Sequence, residues 1–147
     1  MRRDWEQAIG RDDVGTLARL LDEGVDINAR DAHGQTGLMR AASSASPRAA
    51  AFLVERGADL DHTAKYHLSA LMLAVIRDAP AIVRVLVAGG ADLSIRGSGA
   101  PGFHDKTALD LAEAAGHTTI AAMLREAERG RIRPPRDDDP TATEAPR

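Results

Sequence analysis

The sequence predicts an all-α solenoid of about four stacked helix-turn-helix units with finger loops. Three observations lead there: a self-similar period of 33 residues, two short helical stripes of apolar residues in each copy, and a scarcity of aromatics. At 147 residues the chain is long enough for one domain with a real core, and 44% of it is hydrophobic but only 3% aromatic. A core filled by Ala, Leu, Val and Ile suits closely stacked helices better than an aromatic-rich sandwich. The absence of cysteine removes disulfides, thiolate catalysis and Cys-ligated metal centres.

The period is visible in four columns. Ala8, Ala41 and Ala74 are successive multiples of 33, as are Trp5, Leu38 and Leu71, then Leu20, Leu53 and Leu86, then Gly24, Gly57 and Gly90. A fourth copy follows at a displacement of 38, with Thr107, Leu109 and Ala112 answering Ser69, Leu71 and Ala74. The five extra residues fall around Gly97–Pro101, a turn-forming stretch.

The elements follow in order. Residues 1–30 begin mid-unit and form an N-terminal cap, with Trp5 covering the exposed end of the core. In the second copy, 31–63, Thr36 caps a first helix and Pro47 opens a second, where a missing amide hydrogen costs little. The third, 64–101, repeats this with Ser69 and Pro80; Leu71, Ala74 and Val75 mark one helix, and Ile82, Val83, Leu86 and Val87 the other. Glycine ends the second helix at Gly24, Gly57 and Gly90. The fourth copy, 102–128, starts its first helix at Thr107 and serves as a C-terminal cap. Residues 129–147 hold four of the seven prolines and almost no apolar residues, which predicts a disordered tail. Each copy buries one side of a helix pair, so neighbours must supply the other wall.

These residues resemble the ankyrin repeat family, whose unit of about 33 residues carries a T-P-L-H-x-A signature. The fourth copy reads TALDLAEAAGHTTIAAML from Thr107 to Leu124, and the second reads DAHGQTGLMRAA from Asp31 to Ala42. Gly37, Ala70 and Ala108 stand where the family has proline, and Met39, Met72 and Asp110 where it has histidine. His67 replaces a usual glycine. Losing the histidine hydrogen bonds and the proline predicts looser fingers and modest stability, with Gly37 adding about 1 kcal/mol of helix cost.

Catalytic signals are missing from the sequence. It contains no Gly-rich phosphate loop, no G-x-S-x-G and no H-E-x-x-H. His33, His62, His67, His104 and His117 are scattered through the copies, and His117 follows Gly116 in the family's usual turn pair. Asp26, Asp59 and Asp92 recur at one position and suit local turn bonding. No enzyme and no cofactor is expected. A competing reading is a ligand- or metal-binding sensor in which stacking gathers His62, His67 and His104.

The resemblance implies a protein partner, bound through the fingers and concave helix face, with inhibition or neutralisation of that partner as one outcome. The candidates are Lys65, Tyr66 and Leu68 on the third copy's finger and Ile76 and Arg77 at the end of the following helix. Phe103, His104 and Lys106 lie beside the insertion, where Phe103 either reaches outward or folds back. Arg30, His33 and Gln35 form a polar rim. Aromatic and Arg side chains dominate interface energies, which favours Tyr66 and Phe103 as anchors. A net charge of −3 gives no broad attraction to nucleic acid or anionic lipid, and no run has membrane-span or signal-peptide length. The chain is therefore expected to be cytoplasmic and monomeric on its own. Lysine only at Lys65 and Lys106, with abundant alanine, suits a GC-rich bacterial gene.

Overall fold

A computed structural model describes residues 1–132. Among them are eight α-helices: α1 (Arg3–Gly10), α2 (Val14–Asp22), α3 (Gly37–Ser43), α4 (Pro47–Glu55), α5 (Ala70–Ile76), α6 (Pro80–Ala88), α7 (Ala108–Ala115) and α8 (Thr118–Ile132). Lys65–His67 forms one 3-10 turn. The described residues contain no strand, only isolated bridges pairing Arg30 with Thr36 and Thr63 with Ser69 at the bases of two fingers. First helices stack in the order α1, α3, α5, α7, and second helices stack behind them as α2, α4, α6, α8.

The periodic columns are the core. Ala8, Ala41, Ala74 and Ala112 are buried where first helices meet, and their small side chains let the backbones approach. Leu20, Leu53, Leu86 and Leu124 are buried along the second helices. Trp5, Leu38 and Leu71 are enclosed, whereas Leu109 at the far end of its column is only partly buried. Each enclosed leucine contributes roughly 2 kcal/mol by leaving water.

Helix starts follow the predicted chemistry. Thr36, Ser69 and Thr107 accept from the N–H of Met39 at 3.3 Å, Met72 at 3.3 Å and Asp110 at 3.2 Å. Pro47 and Pro80 occupy the first positions of α4 and α6. Met39 and Met72 do not leave a gap in place of the family's histidine; they are enclosed in the core. Asp110 does more, since its Oδ2 accepts from the Thr107 N–H at 3.0 Å and closes a reciprocal capping box. That N–H bond lowers the Asp110 carboxyl pKa, against the opposing effect of burial. Where the family has histidine, this chain therefore has apolar burial in two copies and a cap in the fourth.

Backbone-to-side-chain bonds also tie the copies together. Asn28 accepts from the Asp59 N–H at 2.9 Å, and Asp61, one period on, accepts from the Asp92 N–H at 2.8 Å. Asp26, Asp59 and Asp92 make the expected local turns, each accepting from the N–H two residues ahead. Asp12 reaches across to the start of α4 and accepts from the Ala49 N–H at 2.6 Å.

Two departures from the sequence pattern have physical causes. Residues 129–132, assigned above to the tail, continue α8, because Arg131 donates to the carbonyl of Val87 at 2.6 Å and to that of Ala91, at and beyond the end of α6. The rest of the expected disordered tail, 133–147, lies outside the described residues. Gly37 is not simply a weak helix former. A Cβ there would sit 2.9 Å from Trp5 Nε1 and 3.0 Å from Ile9 Cδ1, so the glycine makes room for the indole. Trp5 is fully enclosed, and its Nε1 has no hydrogen-bond partner among the described residues.

The turns between paired helices share one backbone state. Asp12, Ala45, Asp78 and Gly116 lie in register and have φ of 57°, 53°, 56° and 77°. Alanine has neither glycine's freedom nor an aspartate's local bonding there. Ala45→Gly is expected to gain up to about 1 kcal/mol, read as a rise of a few degrees in thermal midpoint. Gly37→Pro, which restores the family residue, should destabilise the wild-type background more than a Trp5→Leu background, where only the Ile9 contact remains. Additive effects across that double-mutant cycle would show that the indole does not dictate the glycine.

Candidate functional site

The predicted residues occupy three places. Lys65, Tyr66 and Phe103 come together where the third copy's finger meets the loop carrying the insertion. The rings of Tyr66 and Phe103 lie 5.4 Å apart, tilted by 42°, and the Lys65 ammonium sits 4.9 Å from the Tyr66 ring centroid. Phe103 folds back rather than reaching outward, and is partly buried against the core.

The loop is closed on itself. Gly97 donates to the Lys106 carbonyl at 2.9 Å and accepts from the Asp105 N–H at 2.9 Å. A Cβ on Gly97 would lie 2.4 Å from the Phe103 carbonyl oxygen, and one on Gly99 would lie 3.1 Å from Tyr66 Cδ1. These glycines allow close approach, a role that their turn-forming reputation alone did not reveal. The Ser98 N–H donates to the Tyr66 carbonyl at 2.8 Å, and the His67 ring donates from Nδ1 to the Arg96 carbonyl at 2.8 Å.

These bonds hold an unusual backbone. Tyr66 and His67 have φ of 61° and 58°, and consecutive non-glycine residues in this region carry strain. His67 shares its register with Gly34 and Asp105, which are also left-handed at 79° and 59°. Tyr66 has no glycine counterpart in that column, so its conformation is particular to this finger. Tyr66 as a whole is 37% exposed.

Leu68 must be corrected. Named above as a partner-contacting residue of the finger, it is 6% exposed and belongs to the core, with its carbonyl bonded to the Ala64 N–H. The finger turns it inward immediately after the two left-handed residues.

Ile76 and Arg77 are exposed at the end of α5, with Ile76 at 45%. The rest of α5, Ala70–Val75, separates them from the finger, so they form a separate part of the surface. Arg30 and His33 are exposed and Gln35 is partly buried on the second copy's finger. That finger is braced by Asp31, which accepts from the N–H of His33 at 2.8 Å and Gln35 at 2.9 Å and pairs with Arg40 at 3.0 Å. Burial acts to raise the Asp31 carboxyl, but those N–H groups and the guanidinium hold it below the usual carboxylate range. His104 and Lys106 are exposed.

The histidines do not converge. His62 donates from Nε2 to the Gly34 carbonyl at 2.9 Å, and His67 is bonded to Arg96. His117 lies 3.5 Å from Asp78, spanning two helix-pair turns. No group of three or more His, Asp or Glu side chains among the described residues could hold a metal ion, so the metal-sensor reading gains no support. No helix among them is long and apolar enough to cross a membrane.

Stacked helix pairs with bonded finger loops define a helical-hairpin repeat protein, a class whose stacking creates extended surfaces. The family model for ankyrin repeats, in three copies, matches residues 6–97. The chain belongs to the ankyrin repeat family, and the fourth helix pair extends the same stack beyond the matched residues. Modules of this family are generally sites of protein–protein interaction. No curated protein matches the chain.

Because glycine occupies the left-handed region freely, Tyr66→Gly should cost about 1 kcal/mol less stability than Tyr66→Ala. Chemical denaturation of the two variants measures that difference. Equal losses would mean that the Tyr66 backbone is unstrained.

Proposed function

We propose that this chain is a non-enzymatic recognition module that binds a protein partner at a ridge formed by Lys65, Tyr66 and Phe103. His104 and Lys106 flank the ridge; Arg30, His33 and Gln35 extend it along the fingers. Ile76 and Arg77 offer a second contact on the concave side. The observation that carries this reading is the exposed Tyr66 ring, held in a left-handed backbone by bonds from the neighbouring loop. Strain of this kind persists only where surrounding structure over-determines it, and it gathers at ligand-contacting positions. Nothing in the packing of the core requires that ring to be outside.

A rigid aromatic on a fixed finger loses little entropy on binding, which favours affinity per contact. Occupying a partner's functional surface would inhibit or neutralise it without chemistry. Affinity capture from the native cell, followed by mass spectrometry, tests the reading. Proteins recovered with the wild type should be lost with Tyr66→Ala/Phe103→Ala while circular dichroism keeps its helical signal. An unchanged set of proteins would remove the ridge from the binding surface.

A further inference from the structure

At the finger tips, residues 30–35, 63–68 and 96–106, the four cations Arg30, Lys65, Arg96 and Lys106 outnumber the two carboxylates Asp31 and Asp105, although the chain's net charge is −3. Arg30, Lys65 and Lys106 are exposed, and none has a carboxylate within ion-pair distance among the described residues. Both tip carboxylates face other cations: Asp31 pairs with Arg40 at 3.0 Å and Asp105 lies 3.6 Å from Arg96. Asp110, held by the Thr107 N–H, is the carboxylate that acts on Lys106 without an ion pair. Cations without a direct ion pair therefore flank the exposed Tyr66.

We infer that this edge recognises an acidic protein segment carrying an apolar or aromatic side chain. The inference rests on the ridge proposed above and names its partner's chemistry. The apolar side chain lies against Tyr66 and Phe103, and flanking Asp or Glu residues reach Lys65 and Lys106, with Arg30 meeting charge further along. Lys65 is placed for both roles, since its ammonium stands by the Tyr66 ring while remaining exposed. Such complementarity sets partner choice and encounter rate more than affinity. A few cations on an otherwise acidic molecule suit a short acidic segment better than a phosphate backbone, whose binding accumulates with each phosphate neutralised.

Selection of a random dodecapeptide library on the full-length protein tests this. Recovered peptides should be enriched in Asp and Glu around an apolar or aromatic residue, and their binding should weaken as salt rises. Lys65→Glu/Lys106→Glu should weaken them about tenfold, and Tyr66→Ala should abolish binding. Peptides that are neutral or basic yet still depend on Tyr66 would overturn the acidic partner and leave the ridge standing. Peptides indifferent to Tyr66 and Phe103 would overturn both. Displacement of acidic peptides by a single-stranded oligonucleotide at submicromolar concentration would assign the edge to nucleic acid and overturn the inference.

Discussion

No helix pair in this chain can shelter its own apolar residues, and that constraint governs the rest. Each pair has one covered side and takes its second wall from a neighbour. The Ala8, Ala41, Ala74 and Ala112 column is small because first helices meet there, and the Leu20, Leu53, Leu86 and Leu124 column fills the space behind. Asn28 and Asp61 each add a side-chain bond to the next copy's backbone at the first two of the three junctions. The two ends need different solutions. Trp5 closes one, at the cost of an indole N–H without a partner among the described residues and a glycine opposite it. At the other, Leu109 stays partly open, and Arg131 ties the long terminal helix to carbonyls around the end of α6.

A scaffold held in this way can support local strain. Ala45, Tyr66 and His67 all occupy backbone that favours glycine, but their surroundings differ. Ala45 sits in a turn common to every copy, where its conformation is imposed by the fold. Tyr66 sits where the fold asks for no such residue, and the insertion-bearing loop is bonded around it. The extra residues thus act as a buttress for the neighbouring finger rather than as a separate arm.

Much of this was legible in the primary structure because repetition makes it so. A 33-residue period, caps at Thr36, Ser69 and Thr107, prolines opening α4 and α6, and glycines after the second helices are local signals that recur in register. The T-x-x-D at Thr107–Asp110 was also a readable capping box, obscured by comparison with the family's histidine. Contacts between copies were less accessible. Nothing local distinguishes Leu68 turning inward from Lys65 and Tyr66 pointing out, and Gly37 looks like a poor helix residue until Trp5 is seen against it. Whether Phe103 reached out or folded back depended on Gly97 and Gly99 permitting close approach, which composition does not encode. The continuation of α8 depended on Arg131 finding carbonyls forty residues away in the chain.

Amide hydrogen exchange in Leu71→Ala tests the central constraint most directly, because Leu71 lies in α5 with first helices packed on both sides. The mutation should cost about 2–5 kcal/mol and lower protection in α3 and α7 as well as in α5. Loss of protection confined to α5, with α3 and α7 as slow to exchange as in the wild type, would mean that the helix pairs stand independently and would contradict the account.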